Sequence, residues 1–99
     1  MEYFKNKILI ISPVHPYLIS ELKRLKHNVE YFPSIKYIDL EKKIASQKLL
    51  ILRSGIKIDK NIINKAKKLK YIIRAGSGLD NIDVTTAIKN NIKVFNLPN

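Results

Sequence analysis

Cysteine is absent from this chain, which excludes disulfides, thiolate zinc sites and a cysteine nucleophile. Histidine is nearly absent too: His15 and His27 alone do not make a histidine-rich metal site. Acidic residues are scarce, with 8 Asp+Glu against 19 Lys+Arg and a net charge of +11. Long apolar runs are missing as well. The run Ile8 to Ile11 is shorter than the roughly 7 to 15 residues of a signal-peptide core. Nothing approaches the about 20 residues of a membrane span, so a cytoplasmic chain that engages no membrane is expected. Glycine occurs only at 55, 76 and 78. The dinucleotide turn G-x-G-x-x-G therefore lacks its third glycine, for which Asn81 stands, and no room follows for the acidic residue about 20 positions on.

What the chain does hold is a regular alternation. A 45% apolar share in short runs describes a globular chain. Sixteen lysines are spread along the sequence among many Ile and Asn, which reads as a compositional bias and solvated faces rather than a basic patch. No internal repeat, linker or low-complexity segment interrupts the alternation.

Four- and five-residue apolar runs separated by helical spacing predict strands alternating with helices. Strands are expected over Lys7 to Ile11, Val29 to Phe32, Leu49 to Leu52, Tyr71 to Ile73 and Ile92 to Phe95. Pro16 suits a first helical turn, with Leu18, Ile19, Leu22 and Leu25 on one face and Asn28 as the left-handed exit. Asp39 is expected to cap a brief helix with Leu40 and Ile44 inside. Asp59 should cap the next, where Ile62, Ile63, Ala66 and Leu69 form the inner stripe. Asp83 should cap the last, which carries Val84, Ala87 and Ile88 and closes at Asn90 or Asn91. Crossovers of this length imply an α/β fold with a parallel sheet and right-handed connections. Of the possible orders, a flavodoxin-like open five-stranded sheet, 2-1-3-4-5, with helices on both faces, is the one expected here.

Ligands in such sheets bind outside the carboxyl ends of the strands. Those ends carry Ser12 to His15, Arg53-Ser54-Gly55, and Arg74 to Gly78. Guanidinium forks grip carboxylate or phosphate oxygens, and glycine lets backbone amides come close, so this edge has the chemistry of an anion cradle. The same residues are also compatible with ion pairs for Arg53 and Arg74 and ordinary tight turns for Gly76 and Gly78. His15 reads as a capping or solvent residue, and His27 as a cation at a helix C-terminus. No serine, lysine or carboxylate stands beside a base histidine, so no catalytic residue is assigned.

The pieces Leu52-Arg53-Ser54, Lys68 to Asp83 and Ile92 to Asn99 resemble the N-terminal part of D-2-hydroxyacid dehydrogenases, most closely the D-3-phosphoglycerate dehydrogenase branch of serine biosynthesis. The resemblance is specific from residue 50 onward. It implies that residues 1–99 form a substrate-binding domain taking a small anionic 2-hydroxy or 2-keto acid. The Ser77 and Gly78 amides would hold the carboxylate, with Arg53, Ser54 and Gly55 lining the cleft and Arg74 and Gly76 in the supporting loop. Ser77 would also lie near an NAD cofactor bound mainly by a separate nucleotide-binding domain. That domain, which carries the fingerprint and the catalytic residues in the family, is not in these residues. A truncated or split oxidoreductase is therefore expected, inactive alone, needing that domain or a second chain, and prone to self-association. The alternative is a stand-alone anion-binding or regulatory module. Receiver chemistry is excluded, because Ser12-Pro13 and Arg53-Ser54 stand where phosphoacceptor aspartates belong. A nucleic-acid binder is not expected: Tyr31, Phe32 and Tyr37 cluster at one strand exit instead of interleaving with lysines.

Overall fold

The computed structural model describes residues 4–76 and 78–97. Five parallel strands, β1 (Lys7–Ile10), β2 (Asn28–Tyr31), β3 (Leu49–Leu52), β4 (Tyr71–Ala75) and β5 (Lys93–Leu97), lie in the order β2-β1-β3-β4-β5. This is the expected flavodoxin-like order. The helices are α1 (Pro16–Arg24), α2 (Tyr37–Lys43), α3 (Lys60–Lys65) and α4 (Val84–Lys89), with a 3-10 turn over Ile44–Ser46.

Alternation along each strand sends side chains to two unequal cores. On one face Leu9, Leu50, Leu52 and Ile72 pack with Leu40, Ile44, Ile62, Ile63 and Ala87 from α2, the 3-10 turn, α3 and α4. On the other, Ile8, Ile10 and Ile51 meet α1 through Ile19 and Leu22. Helices thus cover both faces, but among the described residues α1 alone lies on the second, over the β1 side. The register Ile73↔Phe95 and Ala75↔Leu97 continues that face into β4 and β5. There Tyr71, Phe95 and Leu97 remain 41%, 45% and 55% exposed, so this half of the sheet presents apolar side chains to solvent. The Tyr71 and Phe95 rings tilt against each other with centroids 6.2 Å apart.

Asp59 and Asp83 do cap α3 and α4, accepting from the Ile62 and Thr86 amides at 3.0 and 3.1 Å. Asn91 takes the left-handed conformation after α4, φ 62°. Asp39 is no cap: α2 begins earlier, with Lys36 at its N-cap, and Asp39 sits in the first turn. Asn28 is not the exit of α1, because Lys26 adopts the left-handed turn (φ 69°) and frees Asn28 to pair in β2. Leu18 and Leu25 are exposed while Ile19 and Leu22 face the sheet, because α1 buries a narrower stripe than the expected one. Ile88 is 64% exposed for the same reason: Ala87 takes the inward position in the short α4.

Candidate functional site

Parallel pairing places the carboxyl ends of β1, β3 and β4 side by side. Leu52 lies opposite Arg74, so the loops after β3 and β4 leave the sheet as neighbours. The order reverses between β1 and β3, the switch point where open sheets leave a crevice. A pocket of roughly 420 Å³ fills that crevice, lined among others by Ser12, Pro33, Ile35, Arg53, Ser54 and Gly55. Ser12 is buried, and its hydroxyl accepts from the Arg53 amide at 2.9 Å, tying the exit of β1 to the first residue beyond β3. Arg53, Ser54 and Gly55 are exposed at the pocket rim. Gly55 has φ +104°.

The loop after β4 is built around a curled arginine. Arg74 Nε donates to Asn81 Oδ1 at 3.0 Å. Its guanidinium then lies over the turn, so that a Cβ added at Gly76 would meet Arg74 Nη1 at 2.7 Å. Gly76 also has φ +139° and Gly78 φ +82°, left-handed conformations that L side chains rarely adopt. The backbone conformation at 76 therefore favours glycine, while the spatial contact falls on the tip of a flexible side chain. Gly76 N donates to Leu97 O at 2.8 Å, anchoring the turn to β5. Ser77, expected to hold the carboxylate and lie near the cofactor, falls outside the described residues.

Arg53, Ser54 and Gly55 therefore share one pocket, whereas Arg74, near the end of β4, and Gly76 and Gly78, in the loop after it, do not line it. Two residues with no expected role join the constellation: Ser12, through the Arg53 amide, and Asn81, through Arg74. A small polar residue at a strand exit beside the switch point was the available sign of Ser12. For Asn81, the only sign was a side chain where a glycine would complete a fingerprint. His15, read as a capping or solvent residue, does cap α1, its Nδ1 accepting from Tyr17 N at 3.0 Å.

Charge around the site follows from the caps. The Asp83 carboxyl lies below the usual carboxylate range because the Thr86 amide and hydroxyl both donate to it. Burial pushes the Asp59 carboxyl up, but the Ile62 amide and the Tyr37 hydroxyl outweigh it, and the group ends below its ordinary value. Tyr37 bonds both Asp59 oxygens at 2.8 Å and so holds α2 against the start of α3. The glycine turn does not fit a dinucleotide. The helix that follows has a carboxylate, Asp83, seated on its first amides, where a pyrophosphate would have to bind. Among the described residues no group of His, Asp or Glu is arranged to hold a metal ion, and no helix is long and apolar enough to cross a membrane.

Residues 8–99 match the family model described as the D-isomer specific 2-hydroxyacid dehydrogenase, catalytic domain. Among curated proteins, the chain is 41% identical over 92 residues to the D-3-phosphoglycerate dehydrogenase of Methanocaldococcus jannaschii, covering 93% of this chain and 17% of that protein. It is 33% identical over 92 residues to the enzyme of the same name from Archaeoglobus fulgidus, covering 93% and 18%. Among solved structures, a Pyrococcus horikoshii protein superposes with a TM-score of 0.89 at 26% identity, over 95% of this chain and 28% of that one. The NAD+-bound 3-phosphoglycerate dehydrogenase of Entamoeba histolytica gives a TM-score of 0.80 at 33% identity, over 92% and 32%. The chain thus spans less than a fifth of the length of these curated relatives. On sequence and on fold alike, it belongs to the D-isomer specific 2-hydroxyacid dehydrogenase family.

Proposed function

We propose that this chain is the acid-binding domain of an NAD-dependent D-2-hydroxyacid dehydrogenase whose substrate is D-3-phosphoglycerate, in serine biosynthesis. The observation that carries the reading is the adjacency of the loops after β3 and β4, with Leu52 opposite Arg74 at their roots. In this reading the Ser77 and Gly78 amides take the carboxylate, with the Gly76 amide anchored to Leu97 O, and Arg53, Ser54 and Gly55 take the remaining oxygens. Arg74 supports the loop from below, consistent with its bond to Asn81. A trianionic acid suits a chain of net charge +11. NAD is held mainly by a nucleotide-binding unit contributed by a further segment or a second chain, with Ser77 near the nicotinamide. The curated relatives named D-3-phosphoglycerate dehydrogenase support the choice of acid.

The test is an amide-resolved NMR titration of the 99-residue chain with D-3-phosphoglycerate and, separately, NADH. Half a cleft should bind the acid with a Kd of about 1 mM, shifting the Ser54, Gly55, Gly76 and Gly78 amides, and Arg53→Ala should weaken it. NADH should shift nothing. Silence at both loops at about 10 mM acid would overturn the reading.

A further inference from the structure

Adjacent strands bring the two loops near each other but do not set their spacing. That is done by a short lacing beyond the sheet. Ile58 N donates to Asn81 O at 2.8 Å and Asp83 N to Ile58 O at 2.9 Å, an isolated parallel bridge between Ile58 and Ile82. The Asn81 side chain extends the lacing in both directions. Its Nδ2 donates to Ile56 O at 3.0 Å, one residue past Gly55, while its Oδ1 accepts from Arg74 Nε at 3.0 Å. Arg74 in turn lies against Gly76. One planar amide thus links the Arg53–Gly55 loop to the glycine turn.

The chemistry is specific to an amide. The position must donate to a carbonyl and accept from a guanidinium at once; aspartate only accepts, and alanine does neither. A dinucleotide turn would place glycine here, so the departure from the fingerprint coincides with the brace.

We propose that Asn81 is a positioning residue that couples the two loops of the acid cleft, so that the carboxylate-binding turn and the Arg53 loop are held as one rigid receptor. The inference rests on the acid-binding reading, and its test is built to separate the two. Amide hydrogen exchange without ligand is measured on the full chain for wild type, Asn81→Ala and Asn81→Asp, followed by titration with D-3-phosphoglycerate.

In Asn81→Ala, exchange at Ile58 and Asp83 should rise about tenfold, while Ile11, bonded to Ile51 O in the sheet, keeps its wild-type rate. The Kd for the acid should rise about tenfold. Asn81→Asp retains an acceptor for Arg74 and sets a carboxylate against the Ile56 carbonyl. It should free Ile58 but leave the Gly76 amide protected, a split that simple loss of stability would not produce. Exchange at Ile58 and Asp83 within about twofold of wild type in Asn81→Ala overturns the coupling. Faster exchange with an unchanged Kd overturns the positioning role. If exchange accelerates as expected but wild type itself ignores the acid, the coupling stands and the acid-binding reading falls.

Discussion

Replacing Gly76 by alanine isolates the physical requirement on which the glycine turn depends. The added methyl faces two penalties. At φ +139° an L residue is strained, which costs about 1–3 kcal/mol. Its Cβ would also sit 2.7 Å from Arg74 Nη1. Arg74 is flexible at its tip and can swing aside, at a cost that is at most its 3.0 Å bond to Asn81, a charge-assisted contact worth about 1.5–3 kcal/mol when buried and less at this half-buried position. The sum is about 2–4 kcal/mol against the roughly 5–15 kcal/mol available to a domain of this size, so the variant should fold with a depressed midpoint. Urea denaturation followed by circular dichroism gives the cost, and the Arg74→Ala background apportions it. Once the guanidinium is gone, Gly76→Ala should cost only the backbone share, about 1–2 kcal/mol less than in wild type. Strict additivity of the two substitutions, or a Gly76→Ala cost below about 0.5 kcal/mol, would refute the packing of Arg74 over the turn.

Two further outcomes follow from the same structure. Asp59 and Asp83 have carboxyls held below the ordinary range by amide and hydroxyl donors, so the unfolded chain takes up their protons first on acidification. Their stabilisation is complete above the unfolded carboxylate pKa and fades as pH falls through the lower folded values. Urea midpoints measured from pH 7 down to pH 3 (about the lower limit for carboxylate titration) should fall with pH, and the joint variant Asp59→Asn/Asp83→Asn, which keeps the caps, should flatten the slope; an unchanged slope would contradict the assignment. The bare half-sheet of Tyr71, Phe95 and Leu97 should enhance a hydrophobic dye and promote self-association, both reduced by Phe95→Ser/Leu97→Ser. A wild-type monomer that ignores the dye would show that this face is not sticky.

Caps were legible in the sequence where a side chain bonds an amide only three residues on, as at Asp59 and Asp83. Asp39 failed because the same residue type also serves in a first turn, and the start of α2 follows the packing of Tyr37 against Asp59, 22 residues away. The helix stripes were read too wide at Leu18, Leu25 and Ile88, since spacing gives the face of a helix but not how much of it the sheet can reach. At the site, the glycines and arginines could be picked out from their chemistry. The edge position of Ser12 could be read, but its bond to Arg53, 41 residues away, and the bond of Asn81 to Ile56, 25 away, could not.

By itself, the amino-acid order determined the alternation of strands and helices, the parallel direction of the strands, and the two loops that carry arginine, serine and glycine. These follow from apolar period, from short-range caps and from crossover length, all properties of contiguous residues. Only the tertiary structure decided that α1 would leave half a sheet face uncovered, that Arg74 would fold over Gly76, and that Asn81 would brace the β3 loop against the β4 loop. Those depend on which groups meet in three dimensions, where a hydrogen bond or a clash is set by distance in space and not by separation along the chain.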